Sequence, residues 1–242
     1  MRSYKDVVSD RYNKRVDSDF ELKRTLRRML PQLRVNEVLL DVLKTIDSQH
    51  RPLTDARILE IGCGDGRWTR FIAEVTHAPE LISGTDLSKP RIEFAKRMNP
   101  AIDYQVKDVV EEPIGATYDV ILALDLFMHF STEAMIKTVL KNIHDSLSED
   151  GIFIFIDAWA RSHFEASADA DSWGFNPQEI YDFAKPEEFT PLFRRTIFRH
   201  LPRKRTSEEF YGVLPDWLVR VSESMFPYPP VNFIIVFGKG KS

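Results

Sequence analysis

A chain of 242 residues with a formal net charge of −4 is long enough to bury the core of one large domain. So mild a charge argues against a nucleic-acid partner. The single cysteine excludes an internal disulfide and argues against a thiolate metal site, so we expect no bound metal and a reducing, cytoplasmic compartment. The charged N-terminus is unlike a signal peptide, and no apolar run reaches the roughly 18 residues of a membrane helix, so we expect no membrane partner.

The first fifty residues predict two helices. Ser18 and Glu21 match a capping box, apolar residues then follow at helical spacing, and Pro31 is expected to end this first helix. Apolar residues recur from Val35 to Ile46 with the i, i+3, i+4, i+7 spacing, which predicts the second helix.

From residue 57 onward, strand patterns and helix patterns alternate. Short apolar runs predict strands, and longer segments with apolar residues every three or four positions predict helices. Strands are predicted at 57–61, 81–85, 102–106, 119–124 and 151–157, and helices at 68–75, 88–98 and 131–147. This alternation is typical of a mostly parallel, doubly wound α/β sheet with right-handed crossovers.

The last third of the chain departs from simple alternation. A helix is expected to begin at Asn176-Pro177, and two further strands are predicted at 192–200 and 232–237. The connection at 203–230 is too long for a plain hairpin and is rich in aromatic residues, so we interpret it as an inserted lid or binding loop. The arginines around Arg194 and Arg195 are interpreted as a solvated strand edge, with an anion site for the substrate as the alternative.

The most informative stretch is a glycine-rich turn between the first predicted strand and the next helix. Gly62, Gly64 and Gly66 follow directly on the apolar strand. Glycines there allow positive φ angles and let the backbone approach a ligand, to which the following helix presents free N–H groups. The alternative is a strand-to-helix turn without a ligand.

Leu59-Glu60-Ile61-Gly62-Cys63-Gly64-Asp65-Gly66 resembles the first motif of class I S-adenosylmethionine-dependent methyltransferases of the small-molecule type. The resemblance covers about residues 55–160. It implies an α/β, doubly wound, Rossmann-like seven-stranded sheet, mostly parallel with the last strand antiparallel, with an N-terminal helical cap and an insertion before the last strand. We therefore interpret the chain, 1–242, as a single methyltransferase domain with a cap at 1–50, a cofactor-binding core at 51–160, and substrate-side insertions and C-terminal strands at 161–242.

The resemblance also implies a cofactor, S-adenosyl-L-methionine, and a product, S-adenosyl-L-homocysteine. Asp86 would accept hydrogen bonds from the ribose hydroxyls, or else serve only as an acid at a helix N-terminus. Asp108 would accept from the adenine amino group, with the N–H of Val109 meeting the ring, or else be an ordinary turn aspartate. Glu60 would help to hold the methionine amino group, or bond nearby strand-end amides. The other predicted cofactor-binding residues lie in the glycine turn and near two strand ends: Gly62, Cys63, Gly64, Gly66, Leu87 and Leu124.

Three side chains are candidates for catalysis. The segment 124–130 resembles the family's fourth-strand motif, which implies that His129 faces the substrate. An imidazole with a pKa of about 6.5 can accept a proton at neutral pH, so His129 is the first candidate for a general base, with a purely positioning histidine as the alternative. Asp157, at the end of the fifth strand, and His163, in an aromatic stretch, are further candidates.

These residues predict methyl transfer from S-adenosylmethionine to an oxygen or nitrogen of a small-molecule acceptor. Methylation of RNA or protein is the enzymatic alternative, against which the mild net charge and the short basic run argue. A catalytically inactive, S-adenosylmethionine-binding regulatory protein is the alternative from another class. The acceptor and the oligomeric state are not predicted.

Overall fold

The structure is a computed structural model and describes residues 26–161, 174–199, 215–225 and 230–240. Seven strands lie in these ranges: β1 (Ile58–Ile61), β2 (Ile82–Asp86), β3 (Asp103–Val106), β4 (Tyr118–Leu124), β5 (Leu147–Ala158), β6 (Phe189–Arg199) and β7 (Pro230–Lys239). The helices in the same ranges are α1 (Leu26–Gln49), α2 (Arg67–Thr76), α3 (Lys89–Met98), α4 (Glu133–Ser146), α5 (Pro177–Ala184) and α6 (Asp216–Met225).

The strands form one sheet in the order β3-β2-β1-β4-β5-β7-β6. The first five strands are parallel to their neighbours, and β7 lies antiparallel between β5 and β6. This confirms the predicted α/β, doubly wound sheet with an antiparallel last strand. The strand order reverses between β1 and β4, which is where open α/β sheets bind ligands.

Apolar side chains alternate between the two faces of the central strands. On β4, Val120 and Leu122 pack with α1, α2 and α3, whereas Ile121 packs on the opposite face with α4 and α5. Both faces of the strand are therefore buried, which is why the sequence shows continuous apolar runs there instead of an alternating pattern.

The α5 helix begins as the sequence predicts. The Asn176 side chain accepts a hydrogen bond from the Gln178 N–H at 3.0 Å, and the Glu179 carboxylate accepts one from the Asn176 N–H at 2.8 Å. These contacts satisfy N–H groups that lack a partner in the first turn, and Pro177 follows where its missing N–H is not needed.

Pro31 does not end a helix, contrary to our expectation. One helix, α1, runs from Leu26 through Pro31 to Gln49, whereas the predicted capping box at 18–21 lies outside the described residues. Pro31 removes one backbone hydrogen bond from this helix, and the packing of Val38, Leu39 and Leu43 on the sheet outweighs that loss. The described part of the predicted cap therefore packs along the sheet.

The β6 strand is an edge strand and starts earlier than predicted. It begins at Phe189 and contains Pro191, which is tolerated because an edge strand has one unpaired side. Arg194 and Arg195 are exposed on it, and Arg195 pairs with Asp41 of α1 at 3.2 Å. These contacts agree with a solvated strand edge.

The long connection between β6 and β7 contains α6, which lies against α1. Arg220 of α6 pairs with Glu37 at 2.7 Å, and Glu223 approaches Arg34 at 3.9 Å. The predicted lid at 203–230 is otherwise outside the described residues, so its role stays a prediction. None of the helices in the described ranges combines the length and apolarity that crossing a bilayer requires.

Candidate functional site

A crevice opens at the carboxyl ends of the parallel strands, beside the point where the strand order reverses. Predicted site residues from four separate connections line it: Gly62, Asp86, Leu87, Asp108, Val109 and His129. Groups 67 positions apart in sequence thus share one surface, as expected for the ligand site of an open α/β sheet.

The glycine turn adjoins this crevice, which Gly62 lines, and takes positive φ angles. Gly62, Gly64 and Gly66 have φ angles of 71°, 56° and 71°. A Cβ at Gly62 would lie 2.7 Å from the side chain of Leu126, and one at Gly64 would overlap the guanidinium of Arg91. Only glycine combines a positive φ angle with the absence of a Cβ, so the backbone of the turn is not covered by side chains of its own.

Asp86 ties this turn to the start of α3. Its Oδ2 accepts a hydrogen bond from the Gly64 N–H at 2.9 Å, and its Oδ1 accepts one from the Ser88 N–H at 2.8 Å. The Arg91 guanidinium lies 4.0 Å from Oδ2. The carboxylate is held at the crevice wall with lone pairs left for further donors, so both roles considered for Asp86 are compatible with this geometry.

Glu60 is buried in an unusual state. It is 1% exposed, and neither carboxylate oxygen has a hydrogen-bond partner within the described part of the chain. Burial raises the pKa of Glu60 well above its ordinary value, and the negative charges of Asp65 and Asp86 add to this, while the backbone of Thr69 offsets part of it. A buried carboxyl without a partner is costly, and a bound cation would relieve that cost.

The connection after β3 is held by its own hydrogen bonds. Asp108 accepts a hydrogen bond at Oδ1 from the Val110 N–H at 2.9 Å, and the carbonyl of Val109 accepts one from Asn142 of α4 at 2.9 Å. Asp108 therefore forms an Asx-type turn while it lines the crevice.

Other predicted cofactor residues lie beneath the crevice surface. Cys63 and Leu124 are both 4% exposed and belong to the core. Burial raises the pKa of the Cys63 thiol well above its usual value, so this cysteine is not a reactive thiolate. A Cβ at Gly66 would overlap the hydroxyl of Tyr104, so this glycine serves the packing of the turn against β3.

The predicted catalytic residues occupy different depths. His129 ends a short 3-10 turn, Phe127–His129, and lines the crevice. Asp157 is 0% exposed, and its carboxylate accepts hydrogen bonds from the N–H groups of Met128 at 2.9 Å and Ala158 at 2.8 Å. Asp157 therefore fixes the connection that carries His129. His163 lies outside the described residues.

Residues 59–153 match the model of a family described as a methyltransferase domain. That stretch is less than half of this chain. A malonyl-[acyl-carrier protein] O-methyltransferase of Bacillus anthracis is 30% identical over 116 residues, which are 47% of this chain and 42% of that protein. The corresponding enzyme of Bacillus cereus is 28% identical over 126 residues, 51% of this chain and 44% of that protein. The chain thus matches less than half the length of these relatives.

Solved structures share the fold of this chain well beyond the matched residues. Magnesium protoporphyrin IX methyltransferase from Synechocystis PCC 6803, with bound S-adenosylmethionine, superposes with a TM-score of 0.65 at 13% identity and 99% coverage of both chains. Coclaurine N-methyltransferase, bound to N-methylheliamine and S-adenosylhomocysteine, gives a TM-score of 0.61 at 15% identity, covering 84% of this chain and 72% of that chain. At these identities the likeness shows the fold.

The crevice also contains residues that our list of site residues did not name. Arg91, Lys107 and Val110 were not expected there, whereas Asp125, Leu126 and Phe130 belong to the segment 124–130, which we expected at the crevice. Asp125 has a φ angle of 51°, in the left-handed region that aspartate and asparagine tolerate better than most residues. Its place directly after a strand end was the available signal. In the described ranges, no three His, Cys, Asp or Glu side chains gather closely enough to hold a metal ion.

Proposed function

We propose that this protein transfers a methyl group from S-adenosylmethionine to an oxygen or nitrogen of a small molecule. The observation that carries the proposal is the glycine turn at the mouth of the β1 strand: Gly62 lines the crevice with a positive φ angle, and the Gly64 N–H is held by Asp86, which lines the same crevice.

The residues in and behind the crevice fit this cofactor. Asp86 has lone pairs for ribose hydroxyls, and the Asp108–Val109 connection lies at the same wall for the base. Glu60 is buried behind the glycine turn, and on ionising it would pair with an ammonium group such as that of methionine.

When bound, S-adenosylmethionine supplies a methyl group that its sulfonium already makes electrophilic. The chain mainly has to hold the acceptor in line with the sulfur–methyl bond and exclude water. The wall formed by Leu126 and Phe130 is apolar and suits that exclusion. His129, on the same wall, stays our sequence-based candidate for accepting a proton.

Small-molecule acceptors are supported by the names of two structural neighbours, which act on magnesium protoporphyrin IX and coclaurine, and by the mild net charge of −4. The similar proteins include both an O-methyltransferase and an N-methyltransferase, so either acceptor atom is compatible with the fold. The single cysteine supports a reducing, cytoplasmic location, which stays a prediction.

Calorimetric titration with S-adenosylhomocysteine tests the cofactor assignment. We expect the wild type to bind it and Asp86→Ala to bind it at least tenfold more weakly, because charge-assisted hydrogen bonds are each worth about 1.5–3 kcal/mol. Asp150→Ala is the matched control, since Asp150 is exposed at the opposite end of β5. Thermal unfolding of both variants separates lost binding from lost structure. If the wild type does not bind, the proposal is wrong.

A further inference from the structure

The connection that follows β4 holds one residue in a strained conformation. Asp125 has a φ angle of 51°, and its N–H donates a hydrogen bond to the carbonyl of Ile156, at the end of β5, at 2.9 Å. A left-handed conformation at a residue other than glycine costs energy and persists only where the surroundings enforce it. The hydrogen bond to β5 is such a constraint, and it turns the chain so that Asp125 lines the crevice.

The Asp125 side chain is held from a distant part of the sequence. Its Oδ1 accepts a hydrogen bond from the Asn232 amide of β7 at 3.3 Å, across 107 positions of sequence. Because an amide N–H only donates, this contact orients the carboxylate without neutralising it, and the second oxygen stays available to a ligand. Asp125 shares the crevice with Gly62 of the glycine turn, so the carboxylate lies on the wall of the cofactor site.

Asp157 is a buried acid whose charge interacts unfavourably with that of Asp125. It is 0% exposed and anchored by the N–H groups of Met128 and Ala158, so it cannot reach into the crevice itself. Burial raises its pKa well above the ordinary value, and the charge of Asp125 raises it further. Loss of solvent raises the pKa of the Asp125 carboxyl to about 6, although the residue as a whole keeps an exposed surface at the crevice. Two interacting carboxyls of this kind titrate as a pair.

We propose that Asp125, oriented by Asn232, faces the transferred methyl group and takes the proton that the acceptor gives up. In that step a bond forms between the methyl carbon and the acceptor's oxygen or nitrogen. The carbon–sulfur bond breaks with its electron pair on sulfur, and the acceptor's proton passes to the Asp125 carboxylate. This inference rests on the proposed function.

Several ionisable groups lie around Asp125 and influence how its protonation depends on pH. Asp157 faces it from β5, and the uncharged amide of Asn232 faces it from β7. The ionisable groups on the other walls of the crevice are Asp86, Arg91, Lys107, Asp108 and His129. His129 lies on the same connection as Asp125 and is the rival group for this role.

Sinefungin tests this placement without a known acceptor. This analogue of S-adenosylmethionine carries an amino group on carbon in place of the sulfonium methyl, whereas S-adenosylhomocysteine has no group there. The ratio of their dissociation constants therefore reports what faces the methyl position. At pH 7.5 we expect sinefungin to bind the wild type about tenfold more tightly, because an ammonium–carboxylate hydrogen bond is worth about 1.5–3 kcal/mol. As pH falls through about 6 the carboxylate of Asp125 is protonated, so the advantage should decline.

The variants separate the possible outcomes. Asp125→Asn should reduce the advantage of sinefungin to about one while S-adenosylhomocysteine still binds, and Asp125→Glu should restore part of it. His129→Gln and the exposed control Asp150→Asn should leave the ratio unchanged. A ratio near one in the wild type, or a loss in His129→Gln instead of Asp125→Asn, would overturn the inference while leaving the proposed function standing. If S-adenosylhomocysteine itself does not bind the wild type, the proposed function is what fails.

Discussion

Glu60 is, at the scale of one residue, a buried acid that lowers the stability of the fold when it is ionised. The side chain ends β1 at 1% exposure with both carboxylate oxygens unpartnered in the described ranges. Burial dominates the rise in its pKa, so folding favours the protonated form. A residue chosen only for stability would be apolar here, which supports a binding role for this acid.

The replacement Glu60→Gln should stabilise the protein at high pH. The pKa of Glu60 is higher in the folded state than in the unfolded state. Its contribution to the free energy of unfolding is therefore fully present below about pH 4.5 and is lost as pH rises through the folded pKa. Glutamine does not titrate, and we therefore expect it to gain about 1–3 kcal/mol at pH 8, a gain that shrinks toward pH 5. Thermal unfolding at both pH values measures this.

The Glu60→Gln variant should bind S-adenosylhomocysteine at least tenfold more weakly, because the amino group of the ligand loses a charged partner. Glu74→Gln, on the exposed side of α2, is the control and should change neither quantity. A Glu60→Gln protein that is equally stable at pH 8, or that binds as tightly as the wild type, would contradict this reading of Glu60.

At the scale of elements, α1 and α6 are joined by two ion pairs of different burial. The side chains of Arg34 and Glu223 are 9% and 16% exposed at 3.9 Å, whereas those of Arg220 and Glu37 are 42% and 47% exposed at 2.7 Å. The shorter pair is the more solvated, and solvent screens it. The buried pair should therefore matter more for the position of α6.

Removing the acid of each pair tests this difference. Glu223→Ala should destabilise the protein by about 1–3 kcal/mol because it leaves the buried Arg34 charge with a weaker set of partners. Glu37→Ala should cost less than about 1 kcal/mol. Urea unfolding measures both, and equal losses would show that burial does not set the strength of these contacts.

The whole molecule builds its crevice from connections that follow β1, β2, β3 and β4. These connections are brought together only by the folded sheet, so the ligand has no equivalent site in the unfolded chain. Ligand binding and folding are therefore coupled across the entire domain.

S-adenosylhomocysteine should accordingly raise the melting temperature. At one hundred times its dissociation constant, binding adds about 2.7 kcal/mol, which corresponds to roughly 5–10 °C for a chain of this size. Differential scanning fluorimetry at increasing ligand concentration measures the shift, with guanosine triphosphate as the comparison ligand. A melting temperature that does not move with S-adenosylhomocysteine would contradict the coupling.

Much of the fold was predictable because its signals are local. Two-face burial made β1 and β4 continuous apolar runs, and Asn176 with Glu179 marked the start of α5. Pro31 misled the prediction because tertiary packing of α1 on the sheet outweighed a local helix-breaking signal. For the site, Gly62 and Asp86 were found from spacing, and the segment that contains Asp125 was found from its place after a strand end. Arg91 and Lys107 were missed because nothing in their neighbours along the chain shows that they face a crevice.

The sequence by itself determined the order of strands and helices, the glycine turn and the acids that follow the strands, because periodicity, capping and positive φ are properties of neighbouring residues. The tertiary structure alone decided that β7 lies between β5 and β6, that Asn232 reaches Asp125, and that Asp157 is closed off beneath it. Lateral pairing and loss of solvent depend on which distant segments meet, and the spacing along the chain does not record this.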